Sequence, residues 1–237
     1  MLRVVSRQRK KSSATAEGKV VTAHGVQGRA SRSAPSAGSS RLARGAPDEG
    51  TRERMVAGAA RLLAERGLQA TSFSEILDLT SSPRGSVYHH FPAGKDQLVT
   101  AALDLVEAQM GKYFAPPAGA SPEEVTVLFL HLWRGILQRS QFKAGCAVVA
   151  VTVAADSPGL LKHVGKIFRT WRRRLADLLA LGGLSAGDAG RFAATLIAAS
   201  EGAVVLSRAE QTMEPFDLVA SHLVEQARSF SGTRRPR

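Results

Sequence analysis

The stretch TSFSEILDLTSSPRGSVYHHF, residues 71–91, decides the fold because it contains two short helical segments joined by a tight turn. Ser72 and Glu75 have the spacing of a capping box, which predicts a helix that starts at about Phe73. The run at 80–82 is Thr-Ser-Ser, and small hydroxyl side chains compete for backbone hydrogen bonds. The first of the two helices is therefore expected to end there.

The second segment has its own start signal. Ser82 followed by Pro83 predicts an N-cap and a first helical residue. Val87 and Phe91 are four positions apart and so face the core together. Gly85 would cost about 1 kcal/mol relative to Ala inside a surface helix, which suits a backbone that approaches a partner closely. Two such helices joined by a tight turn have the layout of a helix-turn-helix DNA reader.

From residue 51 to about 103 the sequence resembles the TetR family of bacterial transcriptional repressors. The matching elements are an amphipathic first helix that ends at 66–67, the run RGSVYHHF at 84–91 and the run GKDQL at 94–98. Most relatives have Gly where this chain has Ser81 and Leu where it has Val87. A turn that demands positive φ would be less comfortable for Ser81 than for Gly.

The resemblance implies a set of DNA-contacting residues. The implied base-reading residues are Ser82, Arg84, Gly85, Ser86 and Tyr88, and the implied phosphate contacts are Thr71, Ser72, Ser74, His89, His90 and Lys95. Arg84 suits a bidentate contact with guanine. The helix N-termini at Pro83 and Lys95 add dipoles that favour phosphate. For His90, next to Phe91, an internal hydrogen bond is an equally weighted alternative.

The whole chain is expected to be all-α. Residues 1–47 are predicted to form a disordered basic tail, residues 48–108 a three-helix helix-turn-helix DNA-binding domain, and residues 109–237 a larger helical ligand-binding and dimerisation domain. Within the last of these, β-branched residues crowd 142–155 and would suit a buried strand. We predict a buried helix there, because Gly145-Cys146 followed by small apolar residues resembles the LmrA-like branch of the family.

Charge separates the tail from the rest of the chain. The net charge is +12 at pH 7, and residues 1–48 contribute +8 of it. The weakly positive remainder is compatible with a DNA partner. The tail is rich in Ser, Gly, Ala and Arg without periodicity, which predicts disorder. Three interpretations stay open for it, namely a basic arm that attracts phosphates, a targeting peptide, or an extension that arises from a misplaced start codon.

The last two predicted helices, about 186–211 and 214–230, are expected to form the surface of a homodimer. The final one carries an apolar stripe, and the preceding one is rich in Ala, Gly and Ser, which permits close helix approach. The alternative is that both helices only close the core of the subunit. A two-fold dimer would present two reading helices about 34 to 36 Å apart, which matches a palindromic operator in double-stranded DNA.

The resemblance also implies that a small-molecule effector controls release from DNA. The candidates for lining an apolar effector pocket are Phe129, Trp133, Phe142, Cys146, Phe168 and Trp171. For each of them, plain core packing is the competing interpretation.

No pattern for catalysis, a metal or a cofactor is evident. Cys146 lies in an apolar run with no basic neighbour, which predicts a buried inert thiol, and a single cysteine fits a reducing cytoplasm. The histidines lack metal-ligand spacing. No stretch approaches about 18 apolar residues, so no membrane span is expected. The sequence therefore predicts a cytoplasmic, sequence-specific regulator that is not an enzyme. The alternative is an architectural DNA-binding protein that acts through its basic tail with little sequence preference.

Overall fold

The computed structural model describes residues 49–232, leaving aside the side chains of residues 49, 113, 231 and 232. In this part of the chain the secondary structure is helical throughout, as predicted. The helices are α1 (Glu49–Arg66), α2 (Phe73–Thr80), α3 (Arg84–His90), α4 (Lys95–Tyr113), α5 (Pro122–Arg139), α6 (Ala147–Ala154), α7 (Pro158–Leu181), α8 (Ala186–Glu210) and α9 (Glu214–Gly232). The predicted disordered tail at 1–47 lies outside the described residues.

The start of α2 is the one that the capping box predicted. The Ser72 hydroxyl accepts from the backbone N–H of Glu75 at 3.2 Å, and the Glu75 carboxylate accepts from the backbone N–H of Ser72 at the same distance. These bonds satisfy two of the donors that a helix start leaves unpaired. The hydrogen bond to the Ser72 backbone also lowers the pKa of Glu75.

The turn between α2 and α3 corrects one sequence prediction. The second helix begins at Arg84 with Pro83 at the N-cap, so Ser82 is not the capping residue. The Thr80 hydroxyl donates to Ser82 Oγ at 2.9 Å, which holds the Ser82 side chain at the end of α2. Ser81 adopts the left-handed region, with φ 51° and ψ 36°, as the comparison with glycine at this turn position led us to expect.

Helices α1 to α4 share one apolar core. Met55 and Leu63 from α1 are fully buried in it. Ile76 of α2, Val87 of α3 and Phe91, which directly follows α3, are buried in the same core. The contact between α1 and α2 is especially close, because a Cβ added at Gly58 would lie 2.7 Å from Thr80 Cγ2. This packing fixes which face of α3 is left for solvent.

In the C-terminal part α8 packs against α7 and α9, and α5 packs against α9, α8 and α7. The predicted buried helix is present as α6, although it covers only 147–154 of the stretch. Residues 142–146 form an irregular loop instead, in which Phe142 has a positive φ of 60°. Helix α6 buries Ala147, Val148 and Val151 and packs against α1 and α7. Tertiary burial therefore outweighs the strand propensity of its β-branched residues.

The apolar stripe of α9 turns inward. Phe216, Ala220, Leu223 and Ala227 are buried within the subunit, so this stripe closes the core, as the alternative interpretation held. Helix α8 instead keeps an outward row of small and apolar residues at Ala198, Gly202, Val205 and Leu206.

One helix of the described part, α8, is long and apolar enough by composition to cross a membrane, with a mean hydropathy of 1.3 over its best window. This differs from the prediction that no apolar stretch approaches the length of a membrane span. Of that window, 44% is buried inside the fold, and the core helices of soluble proteins pass the same test. This is weak evidence for a membrane span.

Candidate nucleic-acid interface

Helix α3 has one buried and one exposed face. Val87 is 1% exposed and Phe91 is fully buried, whereas Arg84, Gly85 and His89 are exposed. The Arg84 guanidinium has no hydrogen bond or ion pair to any other part of the described chain. It is therefore available to a partner that approaches α3.

Tyr88 is the most exposed aromatic residue in this region. Its side chain is 70% exposed, and its ring contacts Phe73 edge-on, with ring centroids 5.9 Å apart. The contact with Phe73 restricts the ring, while most of the side chain stays exposed. A large exposed ring of this kind indicates a contact surface rather than core packing.

The hydroxyl side chains predicted to contact DNA differ in their exposure and in their internal hydrogen bonds. Thr71 is fully buried, and its hydroxyl donates to the Gly67 carbonyl at 2.8 Å. Ser82 is 9% exposed, and the Ser86 hydroxyl donates to the Pro83 carbonyl. Ser74 is exposed on α2. The Ser74 hydroxyl is thus the most available of the set, while the Thr71 hydroxyl is bonded to the backbone and the Ser82 hydroxyl to the Thr80 side chain.

The start of α4 lies beside this surface. Its N-cap is Gly94, with φ 84°, and no side chain caps its first turn. The Lys95 ammonium donates to the Leu68 carbonyl at 2.8 Å, which ties α4 to the loop between α1 and α2. An ammonium carries three donors, so two remain for a further partner.

One basic residue here was missed by sequence reasoning. The guanidinium of Arg52, an exposed residue of α1, lies 5.5 Å from the centroid of the Phe91 ring. The neighbouring His90 is partly buried, with its ring 6.4 Å from that of Phe91 and 5.2 Å from that of His89. No pattern in the sequence near residue 52 signals this placement, because it depends on the packing of α1 against the end of α3.

A guanidinium on α8 connects the N-terminal helices with the C-terminal part. Arg208 donates to three backbone carbonyls, those of Glu65 at 3.2 Å, Lys143 at 2.9 Å and Phe142 at 3.3 Å. The backbone N–H of Gly145 also donates to the Ala64 carbonyl at 2.8 Å. The end of α1 is therefore held against the loop that leads into α6.

The six candidates for an effector pocket separate into three groups. Trp133, Cys146 and Trp171 line a common cavity of about 300 Å³. Phe129 and Phe168 lie behind the tryptophans, with ring-to-ring distances of 6.5 and 5.8 Å. Phe142 lines a separate recess with Glu65, Arg66 and Arg208.

Cys146 and Glu201 form a buried polar pair between α6 and α8. Burial raises the pKa of the Cys146 thiol well above its usual value, and the nearby Glu201 carboxylate adds to this shift. Burial also raises the pKa of Glu201 to about 7, although the hydrogen bond from Cys146 partly opposes the shift. Sγ of Cys146 accepts from the Val149 N–H at 3.4 Å at the start of α6. A neutral thiol in this setting is a poor nucleophile.

Within residues 49–232, no group of three or more His, Cys, Asp or Glu side chains is placed to hold a metal ion.

Two protein-family models match the chain. The model of bacterial regulatory proteins of the tetR family matches residues 55–102, which contain α2, α3 and the start of α4. The model of the C-terminal domain of LmrA/YxaF-like transcriptional regulators matches residues 122–222. The first match therefore includes α3 and all the sequence-predicted DNA-contacting residues, whereas Arg52 lies just before it.

Known proteins agree with these matches. The HTH-type transcriptional regulator Rv0196 of Mycobacterium tuberculosis is 31% identical over 74% of this chain and 93% of its own length. The HTH-type transcriptional regulator LmrA of Bacillus subtilis is 25% identical over 72% of this chain and 93% of its own. The solved structure of a TetR transcriptional regulator from Chloroflexus aurantiacus is similar with a TM-score of 0.62 and 29% identity, over 74% of this chain and 93% of the other. The protein belongs to the TetR family of bacterial transcriptional regulators, in its LmrA/YxaF-like branch.

Proposed function

We propose that the protein is a homodimeric, cytoplasmic repressor that binds a palindromic operator through α3 and leaves it when a small apolar effector binds. The observation that carries the DNA part is the two-sided character of α3. Its apolar residues are buried in the core that α1 to α4 share, and its polar residues, with an unpartnered Arg84, are exposed. A helix held in this way can enter the major groove without unfolding its own core.

The proposed roles follow from what each side chain already does in the fold. Arg84 and Tyr88 are free to reach base edges, and Gly85 permits close approach of the backbone. Ser74, His89, the remaining donors of Lys95 and, as an addition, Arg52 would contact phosphates. Thr71, Ser72, Ser82 and Ser86 already make internal hydrogen bonds, so we assign them mainly to positioning, with Pro83 and His90 at the two ends of the same helix.

The outward row of α8 supports the homodimer. Val205 and Leu206 are 55% and 50% exposed, and the neighbouring Leu218 of α9 is 66% exposed. Ala198 and Gly202 on the same face of α8 allow a second helix to approach closely. Burial of these residues in a two-fold interface would present two copies of α3 about 34 to 36 Å apart, one for each half-site.

Footprinting on the DNA upstream of the protein's own coding sequence tests this proposal. A specific repressor protects a palindrome with two half-sites about one helical turn apart. Deletion of residues 1–47 is expected to leave that palindrome protected. Uniform protection that disappears with the tail would support the architectural alternative instead, since binding through a basic tail has little sequence preference.

We also infer that the protein is not an enzyme. Its relatives are regulators, and the buried Cys146 thiol is held in its neutral form. A preparation that turned over a substrate, and lost that activity on Cys146→Ser substitution, would contradict this inference.

A further inference from the structure

Helix α7 carries a straight row of cations. The helix contains six Lys or Arg residues and a single acidic residue, Asp177. Lys162, Lys166, Arg169 and Arg173 are spaced four, three and four residues apart, and at 3.6 residues per turn this spacing places all four within about 60° around the helix axis. These four residues are called the α7 stripe, and it is about 16 Å long at 1.5 Å per residue.

The α7 stripe faces solvent, and its charges are unpaired. All four side chains are exposed, and the buried row of α7, which includes Val164, Ile167 and Trp171, lies on the opposite side of the helix. Within residues 49–232, none of the four side chains makes an ion pair or a hydrogen bond. Like charges one turn apart on a helix repel each other. An anionic partner would relieve this repulsion.

The composition of the stripe favours a polyanion over a membrane surface or a second copy of the chain. Between Lys162 and Arg173 no apolar side chain lies within the arc of the stripe, and the exposed Leu161 lies about 100° from Lys162 around the axis. Membrane-surface helices and protein docking sites depend on exposed apolar anchors. A second copy of the stripe would bring like charges together. A linear array of phosphates is the partner that fits the stripe.

Contacts between α4 and α7 show where the stripe lies relative to the start of α4. His163 Nε2 lies 2.9 Å from Asp104 Oδ1. Farther along, the Arg174 guanidinium donates to the carbonyls of Gly111 and Phe114, both at 2.9 Å. The two helices therefore run side by side in the same direction. Asp104 is nine residues beyond the start of α4, which is about 13 Å along the axis. A duplex seated against α3 and the start of α4 thus leaves the stripe free.

We propose that the α7 stripe binds the phosphate backbone of a second DNA duplex while α3 holds the first. The proposal rests on the proposed function in one respect, since α3 brings the protein to DNA and so raises the concentration of duplex around the stripe. A duplex carries about one charge per 1.7 Å of its axis, so about ten phosphates lie along the length of the stripe. Contacts of this kind are independent of sequence, and they join two segments of DNA on one protein.

A capture assay with two duplexes tests the proposal. The first duplex, taken from upstream of the protein's own coding sequence, is immobilised and saturated with the full-length protein, and the second is a labelled duplex of random sequence. We expect the native complex to capture the second duplex. If each of the four cations neutralises one phosphate, the affinity of capture falls about twelvefold when salt is raised from about 50 to about 100 mM. No capture by the native complex would overturn the proposal.

A stripe variant combines Lys162→Gln, Lys166→Gln and Arg169→Gln. It is expected to reduce capture by more than about tenfold, while it stays bound to the first duplex, which shows that it is folded. A second variant combines Lys162→Arg, Lys166→Arg and Arg169→Lys, which keeps every charge, and it should capture the second duplex as the native protein does. Equal capture by the stripe variant and the native protein would refute the assignment, because the basic tail would then hold the second duplex.

The matched control removes two lysines and one arginine that are exposed outside α7, through Lys112→Gln, Lys143→Gln and Arg139→Gln. It has the same net charge as the stripe variant and should capture the second duplex normally. An equal loss of capture in the control would overturn the proposal, since net charge alone would then be responsible.

Two further measurements separate the alternatives. Stripe-dependent binding to phosphatidylglycerol vesicles, without capture of the second duplex, would overturn the proposal in favour of a membrane partner. If the first duplex is not bound at all, the proposed function fails, and fluorescence anisotropy of the random duplex with the same variants then judges the stripe by itself. A loss of affinity confined to the stripe variant would support the stripe, and equal affinities would overturn it.

Discussion

Substitution of Glu201 by Gln is expected to remove most of the pH dependence of folding stability between about pH 4.5 and 7. Burial raises the pKa of Glu201 from 4.5 to about 7 in the folded protein, and its Oε1 atom has no hydrogen-bond partner in the described part of the chain. In this window the folded state holds a proton that the unfolded state has released. The free energy of unfolding therefore falls as pH rises through the window and becomes constant above about pH 7.

The size of the change in the free energy of unfolding follows from the pKa shift of Glu201. One pKa unit corresponds to about 1.4 kcal/mol, so the ionised Glu201 destabilises the folded state by about 3 kcal/mol at pH 8. Gln resembles the protonated carboxyl group and does not titrate. Glu201→Gln should thus match the native protein near pH 4.5 and exceed its stability by about 2 to 3 kcal/mol at pH 8.

Urea unfolding at fixed protein concentration, repeated from pH 4.5 to 8.5, measures this difference. The concentration is fixed because dimer formation would otherwise change the apparent stability. Glu210→Gln, at the exposed end of the same helix, is the matched control for the loss of a carboxylate. Parallel profiles for Glu201→Gln and the native protein would refute the reasoning, as would a lower stability of the variant at pH 8.

Three further predictions concern α3 and its surroundings. Gly85→Ala should stabilise the free protein by about 1 kcal/mol, since an added Cβ meets nothing within 4 Å, and it should weaken operator binding in an anisotropy titration. Gly159→Ala is the control. Unchanged operator affinity of Gly85→Ala would show that the backbone at Gly85 does not approach DNA closely. Ser81→Gly should raise the free energy of unfolding by about 1 kcal/mol, because it relieves a left-handed residue, and a loss of stability in urea unfolding would contradict that account. Arg84→Ala should reduce discrimination between operator variants by about 1 to 3 kcal/mol, while Lys95→Ala should weaken binding to all DNA sequences alike. Identical behaviour of the two variants in competition assays would show that the assignment of Arg84 to bases and Lys95 to phosphates is wrong.

The features that the sequence predicted well are those that depend on neighbouring residues. The capping box of Ser72 and Glu75 is complete within four positions, so it fixed the start of α2 without knowledge of the rest of the fold. The left-handed conformation of Ser81 agrees with the glycine that most relatives have at this position. The prediction for Ser82 was wrong because the Thr80 hydroxyl binds its side chain, and local preference for an N-cap could not reveal that competition.

Other features depend on contacts between distant segments. The apolar stripe that begins at Phe216 is equally suited to the subunit core and to a partner, and only the packing of α9 showed that it lies in the core. The proximity of Arg52 to Phe91 and the contact of Glu201 with Cys146 join residues that are far apart in sequence. The spacing of Trp133 and Trp171 likewise gave no sign that they share a cavity.

The bridge that Arg208 makes between α8, the end of α1 and the loop at 142–143 uses only carbonyl acceptors. Guanidinium groups stay charged at every physiological pH, and backbone carbonyls do not titrate, so acidification has no means of loosening this joint. Moderate salt should also affect it little, because no opposing charge is involved. This contact between α8 and the end of α1 should therefore change little with pH or ionic strength, and a change in packing remains the route by which it can be altered.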